Sequence, residues 1–183
     1  MKSLGVKCSM AFDYEQRGIR NGALAALLVT LAAFALAISF PLPFAEVSHF
    51  SDSKAVLAII AAMLVGSLAV AIMNVANQRF FEPLDRNAAA AGTSTERIAQ
   101  LQAILRNTHE QVTIAALVYF TAFMLLPVGW TDTIFVASML FAIGRLFFTK
   151  GYSKGAAARA FGFGLTFYPS IVLAALSLVA AFL

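Results

Sequence analysis

The chain alternates between long apolar runs and short polar stretches. Crossing the hydrocarbon of a bilayer as helix takes about 20 mostly apolar residues, and five stretches meet or approach that length: 22–40, 54–77, 112–126, 131–150 and 156–183. Proline marks two of the ends. Pro41 and Pro43 stop the first run and Pro127 closes the third, because proline removes a backbone donor and disfavours helix at the residue before it. Gly151 stands just past the fourth run, where a left-handed C-terminal cap commonly sits. A cleavable signal peptide is the rival reading of the first run, but that run is longer than the usual span of about 7–15 apolar residues and follows a mixed polar segment, 1–21.

The linker 82–94 (EPLDRNAAAAGTS) is polar and rich in small residues, and it ends in a helix start. Thr93 with Glu96 three residues on fits a capping box, and Ile98, Leu101 and Leu105 then repeat at helical spacing. The spacing predicts a helix from near Ser94 to Leu126, about 50 Å long and therefore longer than the roughly 30 Å hydrocarbon. Its first turns are expected to project into the cytoplasm.

Composition turns this pattern into a class. Of 183 residues, 61% are hydrophobic and 12% charged, with a mean hydropathy of +0.83; soluble domains run near half apolar and a quarter charged. The expectation is an all-α integral membrane protein with five spans. Cys8 is the single cysteine, which excludes an intrachain disulfide framework and cysteine-based metal clusters. The net charge of +4 is too small and too dispersed for a nucleic-acid-binding face. Its distribution is informative: five spans put 12 of the 13 Lys and Arg residues on one face, with only Lys54 opposite. By the positive-inside rule the N-terminus is expected in the cytoplasm and Leu183 on the other side.

Arg145 falls well inside the fourth run, about 20 Å along the helix from Asp132. Ionisable groups at such depth face the bundle interior, pair with something, and count as functional-site candidates. Asn107 and Glu110 are three apart and share a helix face, and Arg159 opens the fifth run. These four side chains are expected at one depth, with Tyr152 in the connecting turn. A structural Arg145–Glu110 ion pair, with Lys150, Lys154 and Arg159 as headgroup anchors, is the plainer reading. His109 has no companion at metal-ligand spacing, and no metal is expected. Ala158/Gly162 and Ala160/Gly164 suit close helix packing. Phe161, Phe163 and Phe167 suit lipid or core contacts or an acyl slot, and Pro169 is expected to kink the last helix.

NTHEQ at 107–111 and GRLFFTKGYSKGAAARAFGF at 144–163 resemble the superfamily of membrane-associated proteins in eicosanoid and glutathione metabolism (MAPEG). That superfamily includes microsomal glutathione transferases, leukotriene-C and prostaglandin-E synthases and a non-enzymatic lipoxygenase-activating protein. The resemblance covers roughly 55–183. It implies a four-helix membrane domain over 54–183, preceded by a cytoplasmic segment at 1–21 and an extra transmembrane helix at 22–45 that the common four-helix pattern lacks. The family's N-x-x-E pair falls on Asn107 and Glu110, its R-x-x-x-x-x-G-Y stretch on Arg145, Gly151 and Tyr152, and the arginine that activates the glutathione thiol on Arg159. Arg79 resembles the basic residue before the first family loop. Three positions depart from the pattern: Ala103 replaces an arginine, Gln111 a tyrosine and Phe148 a glutathione-contacting tyrosine. Arg106, one turn from Ala103, is placed to substitute.

The resemblance implies glutathione as co-substrate, held by Arg79, Arg106, Asn107, Glu110, Arg145 and Tyr152, with Arg159 as the catalytic residue. The implied reaction is transfer to a lipophilic electrophile or reduction of a hydroperoxide, in a homotrimer embedded in lipid. The alternative is a non-enzymatic lipid-binding or scaffold protein of the same fold, which the three departures keep open, while Arg159 together with Tyr152 favours the enzyme. A small transporter fits less well, because it wants polar residues at midplane on broken helices.

Overall fold

A computed structural model describes residues 2–40, 50–86 and 94–183, and among them there is helix but no strand. Five long helices and one short one follow in order: α1 Lys2–Ser39, α2 Phe50–Phe81, α3 Pro83–Arg86, α4 Glu96–Leu125, α5 Thr131–Gly151 and α6 Ala156–Ala181. Among the described residues, four stretches are long and apolar enough to cross a membrane: Tyr14–Ser39, Lys54–Phe81, Thr131–Lys154 and Ala156–Ala181. The all-α membrane class therefore holds. Outward-facing Leu28, Val65, Leu117, Phe120, Leu146 and Leu178 present the apolar exterior that lipid requires and that a soluble domain avoids.

The fifth expected span is different. α4 has 30 residues, about 45 Å of helix, but it is not one of the four membrane-capable stretches. Its N-terminal half carries Glu96, Arg97, Arg106 and Glu110. One face of it packs into the bundle: Asn107 and Thr108 reach Arg145 of α5, and Ala115, Tyr119 and Ala122 enter a core shared with Phe34, Ile60, Ile134, Phe141 and Leu173, while Leu117 and Phe120 face outward. All five long helices thus contribute to one core.

Several boundaries differ from the sequence reading. α1 starts at Lys2 rather than near Gly22, since 2–21 contain no proline and a helix can extend beyond the hydrocarbon with polar side chains. α4 begins at Glu96, capped by Thr95, whose hydroxyl accepts the Ile98 N–H at 3.2 Å; Thr93 lies outside the described residues. The cap is itself anchored, because Asp85 of α3 accepts the Thr95 N–H at 2.8 Å and its hydroxyl at 2.6 Å. α4 ends at an extended Leu126 (φ −80°, ψ 151°) before Pro127, as pre-proline sterics require.

Gly151 is not a left-handed cap. It stays helical (φ −82°, ψ −15°), a 3-10 turn over Tyr152–Lys154 follows, and the positive φ of 100° belongs to Gly155. Gly151 serves close approach, since a Cβ there would lie 2.5 Å from the Ala158 carbonyl oxygen. α6 runs as continuous helix through the buried Pro169.

Small residues set two further contacts. Added Cβ atoms at Gly144 and Gly162 would collide with α6 and α5 respectively, which fixes an antiparallel α5–α6 pair. On the other side of α6, a Cβ at Gly18 would lie 2.6 Å from Ala157 Cβ, one at Gly22 3.0 Å from the Phe161 nitrogen, and one at Gly164 2.5 Å from Ala26 Cβ. Residue numbers rise together along both helices, so α1 and α6 run parallel.

Candidate functional site

Arg145 is 4% exposed and its guanidinium joins three helices. From α5 it donates through Nη1 to Asn107 Oδ1 at 2.9 Å and to Thr108 Oγ1 at 3.4 Å on α4, and through Nη2 to Thr166 Oγ1 at 3.1 Å on α6. Both threonine hydroxyls give their own proton to their helix, Thr108 to the Ile104 carbonyl and Thr166 to that of Phe163. Each therefore meets the guanidinium as an acceptor. The Phe148 ring adds a cation–π contact, with its centroid 4.3 Å from Cζ. The expected ion pair with Glu110 does not form. Glu110 is exposed on α4, and neutral oxygens solvate the cation in its place.

Arg159 differs in every respect. It sits in the first turn of α6, half-buried, with Cζ 4.4 Å from the Tyr152 ring centroid. Among the described residues that ring is its one partner, and none accepts from its N–H donors. The sharp return at Gly151 and Gly155 creates the stack, because it lets the start of α6 fold back against the end of α5.

Arg159, Tyr152 and Asn107 line one pocket of about 460 Å³, which Phe148, Phe163, Phe167 and Tyr168 continue as an aromatic wall. Phe163 and Phe167 stack at 5.6 Å and Phe148 meets Tyr152 edge-on at 5.5 Å. The pocket has a polar end that offers a cation and an amide, and an apolar remainder. That is the division an anionic polar reactant and a lipophilic one require.

The other expected site residues lie elsewhere. Arg145 lines a second cavity, about 430 Å³, with Asn74, Thr149 and Lys150 between α2 and α5. Arg79 and Arg106 line a third with His109 between α2 and α4. Among the described residues no three His, Cys, Asp or Glu side chains gather at metal-binding distance. Five participants escaped the sequence reading: Thr108 and Thr166, whose type is commonplace inside membrane helices, Tyr168 of the aromatic wall, and Ile19 and Ala23 of α1, which also line the Arg159 pocket. Thr166 stands two turns beyond Arg159 on α6, the one spacing signal available.

The chain matches no curated protein and no solved structure. A family model does match: that of the MAPEG family covers residues 54–179, more than half of the chain and all of α4, α5 and the Arg159–Tyr152 turn. The chain belongs to the MAPEG family.

Proposed function

We propose that the protein is a membrane glutathione transferase or peroxidase in which Arg159 activates the thiol. Membership of the MAPEG family is consistent with glutathione-related or eicosanoid metabolism. The observation that carries the finer reading is the Arg159 guanidinium held over the Tyr152 ring at the polar end of a largely apolar pocket. A thiol of pKa about 8.5 is only about 3% thiolate at pH 7. A fixed guanidinium beside the sulfur raises that fraction without losing its own proton. The thiolate then attacks an electrophilic carbon, forming a C–S bond and expelling the leaving group. With a hydroperoxide it attacks the distal oxygen and releases an alcohol, and a second thiol completes the reduction. The chain's contribution is positioning and charge stabilisation.

In this reading Arg145 orients Asn107 rather than touching the reacting atoms, since both of its Nη groups are bonded to α4 and α6. Arg79, Arg106 and Glu110 lie away from the Arg159 pocket and reach glutathione only from a second copy of the chain. They belong to the proposal as part of a homotrimer with sites between subunits, which a mass measurement in nanodiscs tests. Five spans with the N-terminus cytoplasmic are part of the same proposal, and the parallel course of α1 and α6 supports three intervening crossings, α2, α4 and α5.

The decisive experiment combines a glutathione titration with Arg159 variants. Arg159→Ala leaves glutathione affinity within a few fold but lowers turnover of a model electrophile at least tenfold, about 1.4 kcal/mol of transition-state stabilisation. The thiolate absorbance of bound glutathione falls with it, and Arg159→Lys keeps partial activity. A wild type that neither binds glutathione nor shows thiolate overturns the reading. The non-enzymatic lipid-binding or scaffold alternative then prevails, favoured already by Phe148, which brings no hydroxyl to the pocket wall.

A further inference from the structure

Helix α1 lies outside the segment that matches the family, 54–179, yet it supplies part of the wall of the Arg159 pocket through Ile19 and Ala23. We propose that α1 is the specificity element of this site, and that Ile19 and Ala23 set the size of the lipophilic reactant that fits beside Arg159. The inference rests on the glutathione reading and deepens it.

Three observations carry it. First, α1 is held in one register along α6. Gly18 is packed on Ala157, Gly22 on Ala160 and Phe161, and Ala26 on Gly164, so one α1 residue meets α6 at every turn. Small residues at that spacing let the backbones approach until sliding or rotation meets a steric barrier. Second, the register is pinned at its polar end, where Glu15 Oε1 accepts the Ala156 N–H at 3.3 Å. A carboxylate at a helix N-terminus is both a hydrogen-bond acceptor and a favourable charge there. Third, Ile19 and Ala23 each follow a locked glycine by one position and are four apart, so they share one face of α1. The lock at Gly18 and Gly22 therefore fixes that face toward the cavity between Arg159 and Phe167.

The consequence is a size limit. The apolar lining that α5, α6 and the turn between them supply is dominated by the rings of Phe148, Tyr152, Phe163, Phe167 and Tyr168, which cannot shorten, whereas the α1 side presents one branched and one minimal side chain. The smallness of Ala23 leaves room, and enlarging it removes that room. One methylene in an apolar pocket changes discrimination by about 10–200-fold; Ala23→Leu adds three carbon atoms to a pocket of about 460 Å³.

The test uses the full chain in nanodiscs with two unreactive conjugates, S-methylglutathione and S-decylglutathione. Ala23→Leu is expected to raise the ratio of decyl to methyl Kd at least tenfold, and Ala23→Val moves it the same way by less, which covers the case in which leucine impairs folding. Leu28→Ala, on the outward side of α1 at 66% exposure, leaves the ratio alone. A ratio unmoved by both Ala23 variants, or moved equally by Leu28→Ala, overturns the proposal. If the wild type binds neither conjugate, it is the glutathione reading that has failed. The α1 assignment is then decided by maleimide labelling of Ile19→Cys and Leu28→Cys in a Cys8→Ser background with 1-phenyldecane as the apolar probe. Slowing at position 19 alone supports the wall, and equal slowing at both positions overturns it.

Discussion

Replacing Gly162 by alanine adds one methyl group where there is no room for it. A Cβ at that position would collide with the Phe148 backbone nitrogen and lie 2.7 Å from the Gly144 carbonyl oxygen and 2.8 Å from the Phe147 carbonyl carbon. All three are backbone atoms of α5, so no side chain can swing aside. Ordinary contact begins near 3.4 Å, so clearing the Gly144 oxygen alone takes about 0.7 Å of retreat by α6 and clearing the Phe148 nitrogen takes more, and a gap of that order forfeits roughly a quarter or more of each dispersion contact across it. Overpacking of this kind costs about 1–3 kcal/mol. At about 2–4 °C per kcal/mol for a chain of this size, the melting temperature of Gly162→Ala should fall by roughly 2–12 °C. Thermal unfolding in nanodiscs, followed through Trp130 fluorescence, measures it. Gly66→Ala is the matched comparison: nothing lies within 4 Å of its Cβ, and alanine is the better helix former by about 1 kcal/mol, so melting holds or rises. Glutathione affinity should weaken in Gly162→Ala as well, because the Arg145–Thr166 and Arg159–Tyr152 contacts both bridge from the α5 side to α6. Melting of Gly162→Ala within about 1 °C of wild type, or an equal fall in Gly66→Ala, would refute the close-packing argument.

Three other outcomes follow from particular contacts. Burial pushes the Asp85 carboxyl upward, but hydrogen bonds from the Thr95 side chain and backbone and from Gln78, with the Arg79 charge nearby, outweigh that and hold it below its ordinary value. A depressed native pKa stabilises the fold above the ordinary carboxylate range and stops doing so as pH falls through the native value; melting against pH should show this loss in the wild type and less of it in Asp85→Asn. Arg145→Lys removes the fork that reaches α4 and α6 together, for a loss of about 1.5–3 kcal/mol, whereas Arg145→Met removes the buried charge along with its needs; a lysine variant that melts above the methionine variant contradicts the crosspiece. A cysteine at Asn87 should label from the cytoplasm and one added after Leu183 from the opposite side, and labelling of both from one side ends the five-span topology.

The membrane class and the helices were legible because lipid imposes one demand, a run of apolar residues of fixed length, and that demand is written in composition. Arg145 was legible by depth alone. Its partners were not, since a threonine that accepts from a guanidinium looks in sequence like any threonine bonding its own helix. The Arg159–Tyr152 pair was legible by its spacing, yet the stack depends on Gly151 and Gly155 folding α6 back on α5, and the sequence pattern assigned the turn to the wrong glycine. Glu110 shows the opposite failure. Sharing a face with Asn107 put it near Arg145 by helical geometry, but that face is wide enough for Asn107 to point inward and Glu110 outward. The role of Ile19 and Ala23 could not be read at all, because nothing local states which helix a small-residue face will meet.

The parallel seam between α1 and α6 joins segments far apart in the sequence, and this gives it a place in time as well as in space. Glu15 and its partner Ala156 are 141 residues apart, which at about 5–20 residues per second of synthesis is an interval of about 7–28 s. Throughout that interval the glycine face of α1 has no α6 to meet, and neither Arg159 nor the α6 side of its pocket exists. The wall closes only when the last helix has been made, so a chain truncated within α6 keeps its earlier helices but never encloses the site.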